Sequence, residues 1–289
     1  MIELYVSNQF EGKKLDRLLS HFHPEISRND FFRLLRKKDI KINNIRTCEN
    51  VEVHTGDQIH IYYFGQSIAV APIYKMIYSD ENLLIIDKPQ GLCVQPDKND
   101  EISLIDLVHK DYGNHVSLCH RLDRNTGGLI ILGRTPSATK LVMDKIKSNE
   151  IHKNYICLCH GKMPENHKLL TAWLEKDTKN SIVYIKDFPS KHALEIKTEY
   201  TVLDYNNQEN YSKLEINLHT GRTHQIRAHL AHIGHPILRD GKYGSNDITS
   251  PIPLKYQALY ANKLFFKFSD KNILSYLNNT QISADYEFI

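Results

Sequence analysis

The sequence contains no long apolar run and almost no excess of charge of either sign. Its longest aliphatic stretches, such as Leu83–Ile86 and Leu129–Leu132, have four residues, whereas a membrane-spanning helix needs about 20. The first residues also lack the basic patch and apolar stretch of a secretory signal. We therefore expect neither a membrane protein nor a secreted one.

Paired cysteine motifs are also missing. No Cys-x-x-Cys occurs, and the cysteines are scattered along the chain, at Cys48, Cys93, Cys119, Cys157 and Cys159. An odd number of separated thiols is typical of reduced cysteines in an intracellular protein. The cysteines therefore predict a cytoplasmic location.

Several common ligand-binding and catalytic motifs are absent as well. The chain has no Gly-x-Gly-x-x-Gly and no Gly-x4-Gly-Lys, so the sequence does not support dinucleotide or phosphate-loop binding. It has no His-Glu-x-x-His and no Gly-x-Ser-x-Gly, which disfavours zinc peptidases and the common serine hydrolases. We expect no nucleotide cofactor.

The composition that remains is that of an ordinary globular protein. The 289 residues are 41% hydrophobic and 25% charged, and at about 150 residues per domain this length suggests two domains. Residues 64–75 contain Gly, Ser and Pro with few charges, which is typical of a linker. We predict a small α/β domain over residues 1–63 and a second domain over residues 76–289. Because strands and helices alternate irregularly in the second domain, we predict an α+β fold on a largely antiparallel sheet.

Apolar patterns place the elements of the second domain. They predict strands at Leu83–Ile86, Leu129–Leu132, Tyr155–Cys159, Ile182–Ile185, Thr198–Leu203 and Leu214–Leu218. They predict helices at about Ser103–Lys110, Ser137–Lys147 and Thr223–Ile233, the last capped by Thr223. In the first domain, one helix is expected to end at Pro24 and a second to run from an N-cap at Ser27 to about Lys38.

Residues 27–46 carry seven basic and two acidic side chains. Such a run is either a solvated helix face or a surface that contacts phosphates. The stretch LDRLLSHFHPEISRNDFFRLLRKKDIKINN, closing with HTGDQIHI, resembles a small RNA-binding domain first named after a protein of the ribosomal small subunit. The resemblance implies that Arg28, Arg33, Lys37 and Lys38 contact RNA.

Three polar segments of the second domain are candidates for a functional site. In HRLDRNTGG, Asp123 lies between Arg121 and Arg124 directly before a Gly-Gly turn. Such an aspartate belongs to a surface ion-pair network or is a carboxylate that acts as nucleophile or base. In the second segment, Tyr155 begins a strand, where a tyrosine most often only packs.

The third segment is TGRTHQIRAHLAHIGHPILRDGKYG, part of a region with five histidines between His219 and His235. A metal site at His229, His232 and His235 is one interpretation, but no acid lies among them and the outer two are about 240° apart around a helix. We favour a polar pocket wall suited to phosphate. Its members would include Arg222, His224 and Gln225.

HRLDRNTGGLIIL, KNYICLCHG and TGRTHQIRAHLAHIGHPILRDGKYG resemble, in this order, the three motifs of the RluA-type pseudouridine synthase family. ENLLIIDKPQGLCVQPD is similar to the opening strand and loop of that family, and QALYANKLFF to its closing strand. The resemblance covers roughly residues 77–244, and the appended RNA-binding domain is common in the family. It implies an RNA isomerase that needs neither a cofactor nor a metal.

Carried over by motif, the resemblance implies that Asp123 is the catalytic aspartate, Tyr155 the active-site tyrosine and Arg227 the arginine that pairs with the aspartate. Arg121 would fill the space that a flipped uridine leaves. The remaining RNA contacts would come from Arg124, Arg222, His224 and Gln225.

Ribosomal RNA of the large subunit is the expected substrate, and transfer RNA is the alternative. A non-catalytic RNA-binding or ribosome-assembly protein is the competing class, and a metal-dependent RNA hydrolase is a third. The sequence also departs from the family pattern: Asn125 and Gly127 stand where Asp and Ser are usual, and Tyr260 where His is usual.

Overall fold

The computed structural model describes residues 2–23, 26, 28–62, 73–96, 102–178, 180–244 and 252–288, with only the backbone of residue 29. The chain forms two compact units, residues 1–71 and residues 72–289. Most of the expected linker lies outside the described residues, as do Pro24 and Ser27, the expected helix end and N-cap.

In its described residues, the N-terminal unit has a four-stranded antiparallel sheet in the order β1-β6-β3-β4, a ribbon of β2 and β5, and two α-helices. These elements are β1 (Ile2–Tyr5), β2 (Lys13–Lys14), α1 (Leu15–Phe22), α2 (Arg28–Arg36), β3 (Ile40–Ile42), β4 (Ile45–Thr47), β5 (Glu52–Val53) and β6 (Gln58–Ile61). Each helix buries one apolar stripe, which includes Leu18 of α1 and Leu34 of α2. The basic side chains of α2 therefore stay on its exposed face.

The second unit contains eleven strands and three α-helices within the described residues. They are β7 (Lys75–Ser79), β8 (Leu83–Lys88), α3 (Leu104–Tyr112), β9 (Ser117–Leu118), β10 (Gly127–Gly133), α4 (Pro136–Lys147), β11 (Ile151–His160), β12 (His167–Asp177), β13 (Ile182–Lys186), β14 (Leu194–Asn206), β15 (Tyr211–Leu218), α5 (Gln225–His232), β16 (Leu259–Phe266) and β17 (Gln281–Ser283).

These strands form one sheet in the order β13-β12-β14-β15-β11-β16-β10-β8-β7, with β17 beside β16 and β9 beside β10. In the described part of the sheet, only the β10–β16 pair is parallel. The predicted α+β class with a largely antiparallel sheet is confirmed.

The middle of the sheet is covered on both faces. Leu84 and Ile86 of β8 join the apolar cluster that packs against α3 and α5, whereas Leu83 and Ile85 join the cluster against α4. A strand buried on both faces has a continuous apolar sequence, which explains the aliphatic run of β8. None of the described helices is both long and apolar enough to span a membrane.

Every strand and helix predicted for the second unit is present, mostly with longer bounds, but two details differ. Strands β7, β9, β12 and β17 were not predicted. The N-cap of α5 is His224, in the left-handed conformation at φ 53°, and not Thr223. The prediction of Thr223 as the N-cap was wrong because Gln225 forms the hydrogen bonds that stabilise the turn before α5. Its Oε1 accepts hydrogen bonds from Thr220 Oγ1 and the Arg222 amide.

Candidate active site

Asp123 lies in the loop between β9 and β10, on a wall shared by two cavities. Their volumes are about 410 and 670 Å³. Arg121, Arg222 and Arg227 line both cavities as well. The Asp123 side chain keeps 24% of its surface exposed, so the carboxylate can be reached from either side.

A chain of buried charges holds this carboxylate in place. Arg227 of α5 donates from Nη1 to Asp123 Oδ2 at 2.7 Å. The same guanidinium donates from Nε and Nη2 to the two oxygens of Asp240, at 2.7 and 2.8 Å. Asp240 has no exposed side-chain surface, and the fork of two bonds fixes the plane of the guanidinium. Arg227 is therefore aimed at Asp123 by a second carboxylate.

Burial and neighbouring charges have opposite effects on the pKa values of Asp240 and Arg227. Burial alone would raise the pKa of Asp240, but the Arg227 hydrogen bonds and charge, with the Lys242 and Tyr243 amides, lower it below its ordinary value. Burial alone would lower the pKa of Arg227, but Asp240 and Asp123 raise it above its ordinary value. Both groups therefore stay charged at neutral pH.

His224 faces the other oxygen of Asp123, with its Nε2 3.9 Å from Oδ1. The Tyr243 hydroxyl accepts a hydrogen bond from the Val183 amide at 3.0 Å and lies 2.8 Å from His224 Nδ1. The hydroxyl can therefore donate its own hydrogen to Nδ1, the arrangement in which the neutral imidazole carries its proton on Nε2, toward Asp123. Burial lowers the pKa of His224, against the charge of Asp123, which favours the neutral ring.

Tyr155 of β11 is 6% exposed and lines the 410 Å³ cavity. Among the described residues, no hydrogen bond to its hydroxyl is found. Burial, and then the charge of Asp123, raise the pKa of Tyr155 above its ordinary value. The side chain is therefore a neutral phenol at neutral pH, with its hydroxyl free to meet a ligand.

Lys88 anchors the loop that contains Asp123. Its side chain is fully buried, and Nζ donates to the carbonyls of Pro89, Leu92 and Arg124 at 2.9, 2.8 and 3.0 Å. Burial lowers the pKa of Lys88 to about 7. The three bonds tie the residue after Asp123 to the loop that follows β8.

The other residues expected at the site differ in their environment. Arg121 and Arg222 are exposed on the cavity walls, and Arg124 lines the larger cavity. Gln225 is 2% exposed, and its amide is engaged inside the protein, where Nε2 donates to Lys197 O and Thr198 Oγ1. Gln225 thus braces the loop that carries Arg222.

The four basic residues expected to contact RNA in the N-terminal unit are all exposed. Arg28 lies over the ring of Phe32, 5.9 Å from its centroid, and Arg33 pairs with Asp30 at 2.6 Å. Lys37 and Lys38 follow α2, and Lys38 adopts the left-handed conformation at φ 58°.

The histidines between His219 and His235 do not converge. His219 contacts Glu199, His229 contacts Thr198, His232 contacts Asp187, and His235 contacts the carbonyl of His160. No group of three possible metal ligands is found among the described residues. Each ring has a separate polar partner, and only His219 and His224 line the smaller cavity in its described part.

Four residues at the site were given no role from the sequence: Lys88, Lys153, Asp240 and Tyr243. Asp240 and Tyr243 belong to the segment RDGKYG, and Lys153 to KNY. Lys88 belongs to ENLLIIDKPQGLCVQPD, the segment similar to the opening strand and loop of the family. The only signal of the four residues was their place inside these family-like segments, because no local pattern shows which side chain a charged residue contacts.

The middle of this unit matches a family of known proteins. Residues 82–232 match the family model described as RNA pseudouridylate synthase. The chain is 32% identical to an uncharacterized RNA pseudouridine synthase of Mycoplasma genitalium, over 90% of this chain and 88% of that protein. It is 28% identical to the ribosomal large subunit pseudouridine synthase C of Buchnera aphidicola from Acyrthosiphon pisum, over 86% of this chain and 82% of that protein.

The solved structure of human RNA pseudouridylate synthase domain containing 1 shares the fold, with a TM-score of 0.62 and 19% identity over 75% of this chain and 84% of that chain. The chain belongs to the RNA pseudouridylate synthase family, and the RluA-type resemblance of its motifs is confirmed. It is an RNA pseudouridine synthase, an isomerase that acts on uridine in RNA.

Proposed function

We propose that this enzyme isomerises uridines of large-subunit ribosomal RNA, with Asp123 as its catalytic carboxylate. The catalytic assignment rests on the position of the Asp123 carboxylate, which lines both cavities. Arg227 binds this carboxylate, and Asp240 binds Arg227 in turn. The choice of RNA is supported by the name of the Buchnera relative, a ribosomal large subunit pseudouridine synthase. Transfer RNA is the alternative substrate.

The target nucleotide has to leave its helix to reach Asp123. Extruding a base costs a few kcal/mol, and Arg121, exposed beside the aspartate, is placed to compensate by stacking and contacting RNA in the vacated space. The ribose then lies next to Asp123 and the base enters the 410 Å³ cavity toward Tyr155.

The reaction replaces the bond from ribose C1′ to N1 of uracil with a bond from C1′ to C5. N1 gains one proton and C5 loses one, so nothing is oxidised and no group is imported. Asp123 acts on C1′, either as nucleophile or as the charge that stabilises a cationic ribose, much as glycosidase carboxylates act. Arg227 holds Asp123 Oδ2 by a hydrogen bond, and His224 faces Oδ1.

Tyr155 serves the proton transfers. Because its pKa is raised, it begins as a phenol and donates its proton to the departing uracil. In the direct route the phenolate that remains accepts the C5 proton after the new bond forms. In a glycal route it first accepts the C2′ proton, returns it to C2′ as C1′ bonds to C5, and then accepts the C5 proton.

Single-turnover conversion tests the assignment of Asp123. Asp123→Asn keeps the shape of the side chain but removes its charge, so conversion of uridine should fall on the order of 10⁴-fold or more. RNA affinity should persist because the cationic residues remain. The measurement is pseudouridine mapping in cellular RNA made without this enzyme, which also identifies the RNA and the uridine. Substantial conversion by folded Asp123→Asn protein would contradict the proposal.

Two controls test whether the Tyr155 hydroxyl takes part in the reaction or only packs, and whether conversion depends on a metal. Tyr155→Phe removes only the hydroxyl, and conversion should fall about 10²–10⁴-fold if that oxygen carries the proton. A chelator should leave wild-type conversion unchanged, and loss of activity with chelator would favour the hydrolase class. A wild-type protein that binds RNA but converts no uridine would favour the non-catalytic class.

A further inference from the structure

The 410 Å³ cavity beside Asp123 has an unbalanced charge. Besides Arg227, four cationic side chains line it: Arg121, Lys147, Lys153 and Arg222. The one carboxylate among its described lining residues is Asp123, which Arg227 already binds. None of the four has an ion-pair partner among the described residues. The excess of positive charge makes this cavity suited to bind an anionic ligand.

Lys153 is the cation of this group that burial affects most. Arg121, Lys147 and Arg222 are exposed, whereas Lys153 is partly buried in β11. Burial lowers the pKa of Lys153 to about 8. Taking an ammonium out of water without a counter-charge costs free energy, so its position is explained best if a ligand provides the opposite charge.

The local backbone leaves this ammonium open to the cavity. Gly221, after the end of β15, has no side chain, and a Cβ there would lie 3.2 Å from Lys153 Nζ. Lys153 also lies two residues before Tyr155 on the same strand, and both residues line this cavity. Their Cα atoms are about 7 Å apart along an extended strand. A ligand that touches Tyr155 can therefore reach the ammonium within the span of one nucleotide.

We propose that Lys153 binds the phosphodiester that flanks the flipped uridine. Uracil and ribose carry no formal charge, so the phosphate is the group in RNA that an unpaired ammonium recognises. The compact charge of a lysine suits a phosphate oxygen. This inference rests on the proposed function, in which the uridine enters this cavity, and it assigns Lys153 to substrate binding.

Salt-dependent RNA binding by the full chain tests the proposal. The probe is a labelled RNA hairpin that carries a uridine the wild-type enzyme converts. Lys153→Met should weaken binding about tenfold, the effect of losing a hydrogen bond between charged groups. The slope of log affinity against log salt should fall by about 0.7–0.9, the value for one phosphate. Lys153→Arg should keep most of the affinity, and the single-turnover rate of Lys153→Met at saturating RNA should stay within about threefold.

A matched control removes the same charge elsewhere. Lys140 is exposed on α4 and does not line the cavity in its described part, so Lys140→Met should leave the salt slope unchanged. A second probe with a neutral methylphosphonate beside the uridine should lose affinity for the wild type but not for Lys153→Met. The wild-type part of this second comparison uses the unaltered protein, so it holds even if Lys153→Met folds poorly.

Two results would overturn the proposal. One is a Lys153→Met protein with wild-type affinity and salt slope, which would leave the lysine a packing role. The other is unchanged affinity with a strongly reduced rate, which would place Lys153 in the chemistry. Because these are binding measurements and Asp123→Asn is judged by conversion, either assignment can fail without the other.

Discussion

At the scale of single residues, the site depends on side chains that never reach the substrate. Asp240 lies behind Arg227 and has no exposed side-chain surface, yet it fixes the guanidinium that contacts Asp123. The Tyr243 ring lies against the same guanidinium, 5.3 Å from it, and its hydroxyl orients His224. One short segment thus positions both groups that face the oxygens of Asp123.

The variant Asp240→Asn should show whether Asp240 positions Arg227 for the reaction without contributing to RNA binding. An asparagine cannot accept both Arg227 hydrogen bonds and carries no charge, so the guanidinium loses its fixed plane. The free energy of unfolding should fall by about 3 kcal/mol, measured by chemical denaturation. The single-turnover rate of the folded variant at saturating RNA should fall about 10²-fold, whereas the RNA dissociation constant should change little.

The exposed Asp187, which contacts His232, is a matched control. Asp187→Asn removes the same charge from the same unit and should change neither the stability nor the rate appreciably. If Asp240→Asn lowers stability but leaves the rate at the wild-type value, Asp240 supports the fold and does not position Arg227.

At the scale of elements, the parallel pair of β10 and β16 brings together two of the residues that depart from the pattern expected from the resemblance. Gly127 of β10 lies opposite Tyr260 of β16. A Cβ on Gly127 would lie 2.8 Å from the Tyr260 ring, closer than packed atoms allow. The Tyr260 ring stacks on Tyr286, with centroids 3.7 Å apart, and its hydroxyl donates to Asp87. The Tyr260 ring therefore occupies the space that a side chain at residue 127 would need, so residue 127 has to be glycine.

A double-mutant cycle on this pair tests the coupling. Gly127→Ser alone should lower the free energy of unfolding by about 1–3 kcal/mol because the core is overpacked. Adding Tyr260→His makes room for the serine, so the double variant should be more stable than the sum of the single changes by about 1 kcal/mol. Thermal or denaturant unfolding of the four proteins measures this coupling, and strict additivity would argue against it.

At the scale of the whole molecule, the two units have separate apolar cores. The residues proposed to be catalytic all belong to the second unit, whereas the basic segment of residues 27–46 belongs to the first. We propose that the first unit adds RNA affinity and that the second performs the isomerisation.

Removing residues 1–71 should weaken RNA binding and reduce its salt dependence, because fewer counterions are released. The single-turnover rate at saturating RNA should change much less than the affinity does. A full-length protein with Arg28, Arg33, Lys37 and Lys38 changed to Gln should show an intermediate loss of affinity. If the shortened protein binds RNA as tightly and with the same salt slope, the basic face is only solvated.

The sequence by itself determined the family, the fold class and most strands and helices of the second unit. These follow from local patterns: the aliphatic runs of β8 and β10 report burial on both faces, and the three ordered motifs carry the resemblance. Strand β12 was missed although Leu170, Ala172 and Leu174 alternate in burial, because its first residues are exposed and break the pattern.

Only the tertiary structure decided which charged and polar groups meet. Asp123 and Arg227 are 104 residues apart in the chain, and Tyr260 reaches Gly127 only because β16 pairs with β10. The burial of Lys153 without a counter-charge, and of Asp240 with one, depends on how the strands and loops pack around them. Side-chain patterns report how each segment is buried, but the partner of a buried charge is set by contacts between distant segments.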